Sequence, residues 1–160
     1  MRLDAFILAE AATAAPDGKL YVHGGGLTRV VCPVFPFVLP QLALVARLLV
    51  DESDLEARHV FETTLVDPEG AAVVPGAPLV AEQGDVLALP DGEERFMQFA
   101  ITFGGVLFAR PGVHTLSFKV DEEELRRMTL PVVELASQIV EAQPNRAERR
   151  RRERERGRER

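Results

Sequence analysis

Two stretches alternate apolar and polar positions so regularly that they predict half-buried strands. In residues 96–103, Met97, Phe99, Ile101 and Phe103 alternate with Phe96, Gln98, Ala100 and Thr102. In 113–120, Leu116, Phe118 and Val120 alternate with Thr115, Ser117 and Lys119, with His114 in phase with the apolar set. A period of two sends one set to a core and the other to water, and Pro111-Gly112 supplies a turn ahead of the second strand. Residues 41–50, QLALVARLLV, are apolar at most positions and fit helix or strand by pattern alone. Alternation of Leu42, Leu44, Ala46, Leu48 and Val50, in a run of strand length between Pro40 and DESD, predicts strand. Residues 58–66 are rich in β-branched and aromatic side chains and predict another. They end at the turn Asp67-Pro68-Glu69-Gly70, and 71–74 return as a short strand.

Toward the N-terminus, residues 3–11 and 19–23 flank Pro16-Asp17-Gly18, which predicts a β-hairpin. Leu20 and Val22 share one face of its second strand, Tyr21 and His23 the other. Gly24-Gly25-Gly26 ends or bends that strand, and 27–31 resumes it. Pro33, Pro36 and Pro40 make CPVFPFVLP an extended crossing segment unable to sit in a central strand, with Phe35 and Phe37 over one end of the core. Helix is expected only from Pro131 onward, where Val132, Leu135, Ile139 and Val140 fall near one helical face. Asp121-Glu122-Glu123-Glu124 before LRRM also reads as the acidic first turn of a short helix. The pattern predicts an all-β fold. Residues 1–143 form a single antiparallel β-sandwich of seven or eight strands, Ig-like or C2-like, with a short C-terminal helix. Residues 144–160 form an Arg/Glu-rich solvated tail, partly helical or disordered.

The chain has 160 residues and is 46% hydrophobic, enough for one domain with a real core. Its net charge of −6 hides two opposite pieces. Residues 144–160 hold nine Arg and four Glu, a balance of +5, leaving ten basic and twenty-one acidic residues in 1–143, a balance of −11. The acidic body repels nucleic acid and anionic lipid at range, and only the tail attracts them. One cysteine excludes an intrachain disulfide framework and a Cys-rich zinc site. No apolar run approaches the roughly 20 residues of a membrane-spanning helix. Asp4 and Glu10 interrupt the short apolar start and argue against a signal peptide, so a cytoplasmic protein is expected.

Several chemical motifs lack the context their chemistry needs. His23-Gly24-Gly25-Gly26 matches an oxyanion-hole loop, but Ser53, Ser117 and Ser137 are the only serines and none lies in a G-x-S-x-G elbow. The same glycines lack the G-K-[ST] ending of a phosphate loop. His23, His59 and His114 show no metal-ligand spacing, and His114 reads as a strand-end histidine. Asp51, Glu52, Asp54, Glu82 and Asp85 contain no ordered calcium-ligand set. Cys32 reads as a buried small hydrophobe.

The stretch Asp17 to Gly26, DGKLYVHGGG, preceded by Leu8-Ala9-Glu10-Ala11, resembles a family of small uncharacterised bacterial and phage-encoded proteins. LVDPEG and ARPGVHTLSFKVD are similar to that family's second half. The resemblance covers about residues 3–121 and rests on structural turns. It implies a compact β-sandwich of unknown activity and carries over no functional residue.

The function expected is therefore non-catalytic binding, most readily to a protein partner or to a second copy, with no cofactor and no bound metal. Tyr21 and His23 are the surface strand-end candidates. The alternative is sequence-independent association with nucleic acid or nucleoprotein through Arg146, Arg149, Arg150, Arg151, Arg152, Arg154, Arg156, Arg158 and Arg160, since no aromatic interleaves them for base stacking. An enzyme is the weakest reading. It needs a pocket gathering distant residues such as Tyr21, His23 and Arg47.

Overall fold

The computed structural model describes residues 1–15, 17–55, 57–74, 79–81 and 94–135. Its strands are β1 (Arg2–Ala9), β2 (Ala11–Ala14), β3 (Leu20–His23), β4 (Val30–Cys32), β5 (Phe37–Val50), β6 (His59–Val66), β7 (Ala72–Val74), β8 (Leu79–Ala81), β9 (Arg95–Phe108), β10 (Gly112–Val120) and β11 (Glu123–Glu134). One short helix, α1 (Glu52–Leu55), occupies the DESD turn. The fold is all-β, as the period-two pattern requires.

Three strands form one sheet in the order β1-β5-β9, and a larger sheet runs β4-β11-β10-β6-β7 with β8 also on β6. Pairing is antiparallel except for β4, which runs parallel to β11. The inward faces of both sheets meet in one apolar cluster. The alternating set Leu42, Leu44, Ala46, Leu48 and Val50 from β5 joins Phe61 and Leu65 from β6 and Leu116, Phe118 and Val120 from β10. Phe rings tie the sheets together: Phe61 lies 4.6 Å from Phe99, and Phe118 lies 5.6 Å from Phe6. Each such ring, once buried, contributes about 1.5–3 kcal/mol.

The β2–β3 ribbon lies across the outer face of the three-stranded sheet. There Ala9, Ala12, Ala43 and Val45 are buried, and Leu20 and Val22 pack against them. β5 is thus covered on both faces, which is why its sequence is apolar at nearly every position. Tyr21 and His23 point away, on the exposed face of the ribbon.

Four expectations need correction. The hairpin over Asp17-Gly18 joins β2 to β3, whereas the run before it, β1, pairs along β5. The chain bends at Glu10, whose N–H reaches the His23 carbonyl, while the N–H groups of Gly26 and Leu27 reach that of Leu8. Gly24 sits at that bend with φ +61°, and a Cβ there would fall 2.7 Å from the Glu10 side chain. Next, Pro40 lies inside β5, the central strand. It is accommodated because β1 covers β5 only along Ala43 to Leu49, so at Pro40 one side carries no ladder. Third, residues 131–134 are the end of β11, paired to β10 and β4, and not the start of a helix. The remainder of that expected helix, 136–143, lies outside the described residues. Finally, Asp121 and Glu122 form the tight turn between β10 and β11 with φ +49° and +72°, so the acidic run opens a strand and not a helix. Nine register pairs with β10 override the helical preference of Glu, Leu, Arg and Met.

At the opposite end, Gly112 (φ +146°) sits where a Cβ would meet Pro68 at 2.5 Å. The DPEG turn therefore packs directly on the Pro111-Gly112 turn. Arg110 binds both oxygens of Glu69, and Asp67 Oδ1 accepts the N–H groups of Glu69 and Ala71.

Candidate functional site

The densest polar cluster gathers where β6 begins, β10 ends and α1 crosses. His59, the first residue of β6, is buried. Its Nδ1 lies 2.6 Å from Asp121 Oδ2 and its Nε2 lies 2.9 Å from the Asp54 carbonyl oxygen. Asp121 Oδ1 accepts the Val60 N–H at 2.8 Å, and the Asp121 N–H returns to the Val60 carbonyl at 2.9 Å. The Asp54 carboxylate accepts the Asp51 N–H and pairs with the Met1 ammonium at 3.0 Å. These residues border a cavity of about 230 Å³ with Val120, Glu123 and Leu125.

Neither acceptor of His59 has a proton to give, so only the imidazolium form donates at both ring nitrogens at once. Burial disfavours that charge, but the Asp121 hydrogen bond, the Asp54 carbonyl and the two carboxylate charges outweigh it and raise the pKa. Asp121 is likewise desolvated, yet His59 and the Val60 N–H hold its pKa below the usual value. A His–Asp pair suggests general-base chemistry, but that needs a free nitrogen facing substrate. Here the second nitrogen is spent on backbone, so the pair does not act as a catalytic base in this arrangement.

Three other titratable groups, His114, Cys32 and Arg47, are held within the fold. His114 is 1% exposed, edge-on to Phe108 at 5.1 Å. Burial lowers its pKa, against the Gly112 carbonyl and Asp67. Burial raises that of Cys32. Arg47 lies with its guanidinium carbon 3.5 Å from the Phe96 ring centroid and its Nε 3.4 Å from Asp4 Oδ2. That Nε is buried and lacks a hydrogen bond of proper geometry. Gln98, its register partner, donates to the Gly18 carbonyl and so fastens the β2–β3 turn to the sheet. No hydrogen bond, ion pair or ring contact joins Arg47 to Tyr21 or His23, and the three form no common site among the described residues. No group of three or more His, Cys, Asp or Glu among the described residues is placed to hold a metal ion. A second, open cleft of about 510 Å³ has Arg2 and Arg95 facing Asp51, Glu52 and Glu94, a mixed lining with no convergent chemistry.

One surface is unlike the rest. On the outward face of the larger sheet, Val31 stands beside Val133 across the parallel pair, and Val113 beside Pro131 across the β10–β11 pair. Val113 is 54% exposed. Further along the same face the pairs turn polar, with Thr115 beside Thr129 and the Ser117 and Thr64 hydroxyls 2.6 Å apart. On the smaller sheet Val38 and Leu107, paired in register, are also exposed.

Residues 4–133 match a family of unknown function, DUF6941. The chain belongs to that family. No curated protein matches it. The DUF6941 match takes in the His59–Asp121 cluster, Tyr21, His23, and the outward row as far as Val133. It ends before Leu135 and before the arginines Arg146 to Arg160, which also lie outside the described residues. No helix among the described residues is long and apolar enough to cross a membrane.

Sequence reasoning missed the His59–Asp121 pair. The two residues are 62 positions apart, and only the antiparallel register of β6 with β10 brings them together. The outward row did carry a signal. Val31, Val113 and Val133 stand out of phase with the core positions 30, 32, 114, 130 and 132, where an alternating strand calls for polar residues.

Proposed function

We propose that the chain is a non-catalytic binding module, a β-sandwich that engages a protein partner through the outward face of its larger sheet. The observation that carries the reading is the row of Val31, Val133, Pro131 and Val113, apolar on the solvent side of the sheet. Contiguous exposed apolar surface rimmed by polar residues marks interaction sites. It is supported by His59 and His114, the buried histidines among the described residues, whose rings are engaged in hydrogen bonds and ring contacts. Full-length protein and a Val113→Glu/Val133→Glu variant are used to capture native complexes from a lysate of the protein's own source, with and without nuclease. The reading expects a defined protein that survives nuclease and is lost from the folded variant. Equal capture by both proteins overturns it.

The alternative, phosphate contact through Arg146 to Arg160, is favoured by the +5 balance of residues 144–160 against the acidic body. It expects salt-sensitive nucleic-acid binding that disappears on cutting the chain after Gln143. No binding at low salt removes it.

A further inference from the structure

The His59 cluster carries an inference that stands apart from the binding reading. His59 bridges two segments that nothing else in the cluster joins: the turn at Asp121, 2.6 Å from Nδ1, and the Asp54 carbonyl of α1, 2.9 Å from Nε2. A neutral imidazole carries one N–H, so it satisfies only one of these two acceptors. The carboxylate is the stronger acceptor. Asp121 therefore keeps the remaining proton, and the contact to the Asp54 carbonyl becomes one lone pair facing another.

We propose that His59 is a pH-operated latch that clasps α1 to the β10–β11 turn when protonated and lets α1 go when neutral. What is released matters, because α1 presents the Asp54 carboxylate that holds the Met1 ammonium, and both border the cavity beside the turn. Among the described residues, the charges acting on the ring are the carboxylates of Asp121 from the turn and Asp54 from α1, and Glu123 from β11 and the Met1 ammonium line the same cavity. These two carboxylates favour the imidazolium, so the latch is closed on the acid side.

The test follows the His59 ring by NMR while measuring amide-exchange protection, corrected for intrinsic rate, from about pH 5.5 to 8.5. The Asp54 N–H, bonded to the Asp51 carbonyl, and the Asp51 N–H, bonded to the Asp54 carboxylate, report on α1. The Val60 N–H, bonded to Asp121, reports on the part that stays. The expected result is a His59 midpoint above about 6.5. Protection at Asp51 and Asp54 falls through that midpoint, by up to about tenfold per unit of pKa elevation, while Val60 stays protected. In His59→Gln the pH step is absent. In Asp121→Asn the ring midpoint and the α1 step move down together. Protection at Asp51 and Asp54 that stays flat through the ring titration, or a midpoint at or below about 6.5, overturns the proposal without reference to any variant.

Discussion

His59 and His114 both sit buried in adjacent strands of one sheet, and their surroundings push them in opposite directions. The pKa of His59 is raised, so its stabilisation is complete below about 6.5 and is lost as pH climbs through the folded value. That of His114 is lowered by burial, so its stabilisation is complete above about 6.5 and fades as pH falls toward the folded value. Asp54, Asp67 and Asp121 have lowered values and add a separate loss in acid, below about 3.9. The melting temperature is therefore expected to peak near neutrality. Measured against pH, it should lose its alkaline shoulder in His59→Gln and its first acid shoulder in His114→Leu. Gly112→Ala has no comfortable solution, since both the φ of +146° and the Pro68 contact oppose a side chain. Denaturant unfolding should show a loss of more than about 1 kcal/mol.

At the level of elements, β5 is the strand on which the rest is assembled, with Leu44 in the common core and Ala43 under the β2–β3 ribbon, both 0% exposed. Leu44→Ala opens a cavity and is expected to cost about 2–5 kcal/mol in denaturant midpoint and slope analysis. Ala43→Leu overfills the ribbon contact and is expected to cost about 1–3 kcal/mol by the same measurement. β5, β9 and β10 are legible from alternation and β6 from its β-branched and aromatic content, because each packs apolar side chains against the common core. The misread elements share a different cause. The pattern does not separate β1 from β2, because backbone bonds to the His23 and Leu8 carbonyls hold the bend at Glu10 and leave no turn residue at the bend itself. The β10–β11 turn reads as a helix start because Asp121 and Glu122 adopt positive φ without glycine. What holds Asp121 there is its side chain on His59 and Val60, contacts from another part of the chain. The site shared this fate. Its apolar outward row is visible as out-of-phase valines, whereas the latch depends on pairings that no local pattern encodes.

Across the whole molecule, burial and display are separate jobs of the two faces of the larger sheet. The Val113→Glu/Val133→Glu variant should accordingly keep its stability within about 0.5 kcal/mol in thermal unfolding, whatever it loses in binding. The DUF6941 match spans residues 4–133, which include His59 and Asp121, and stops short of the arginine-rich end. The parallel pair β4–β11 sets Val30 against Val132, and both are buried in the common core. Joining them closes a loop of about a hundred residues, and that entropy must be met before the contact returns anything. Hairpins such as β10–β11 close over a few residues. On a ribosome, the Val30 strand must wait until nearly the whole described chain has been made before its partner exists. The edge of the larger sheet is thus the last part of the barrier-crossing order to form. Val30→Ala should accelerate unfolding in stopped-flow experiments and leave the folding rate almost unchanged.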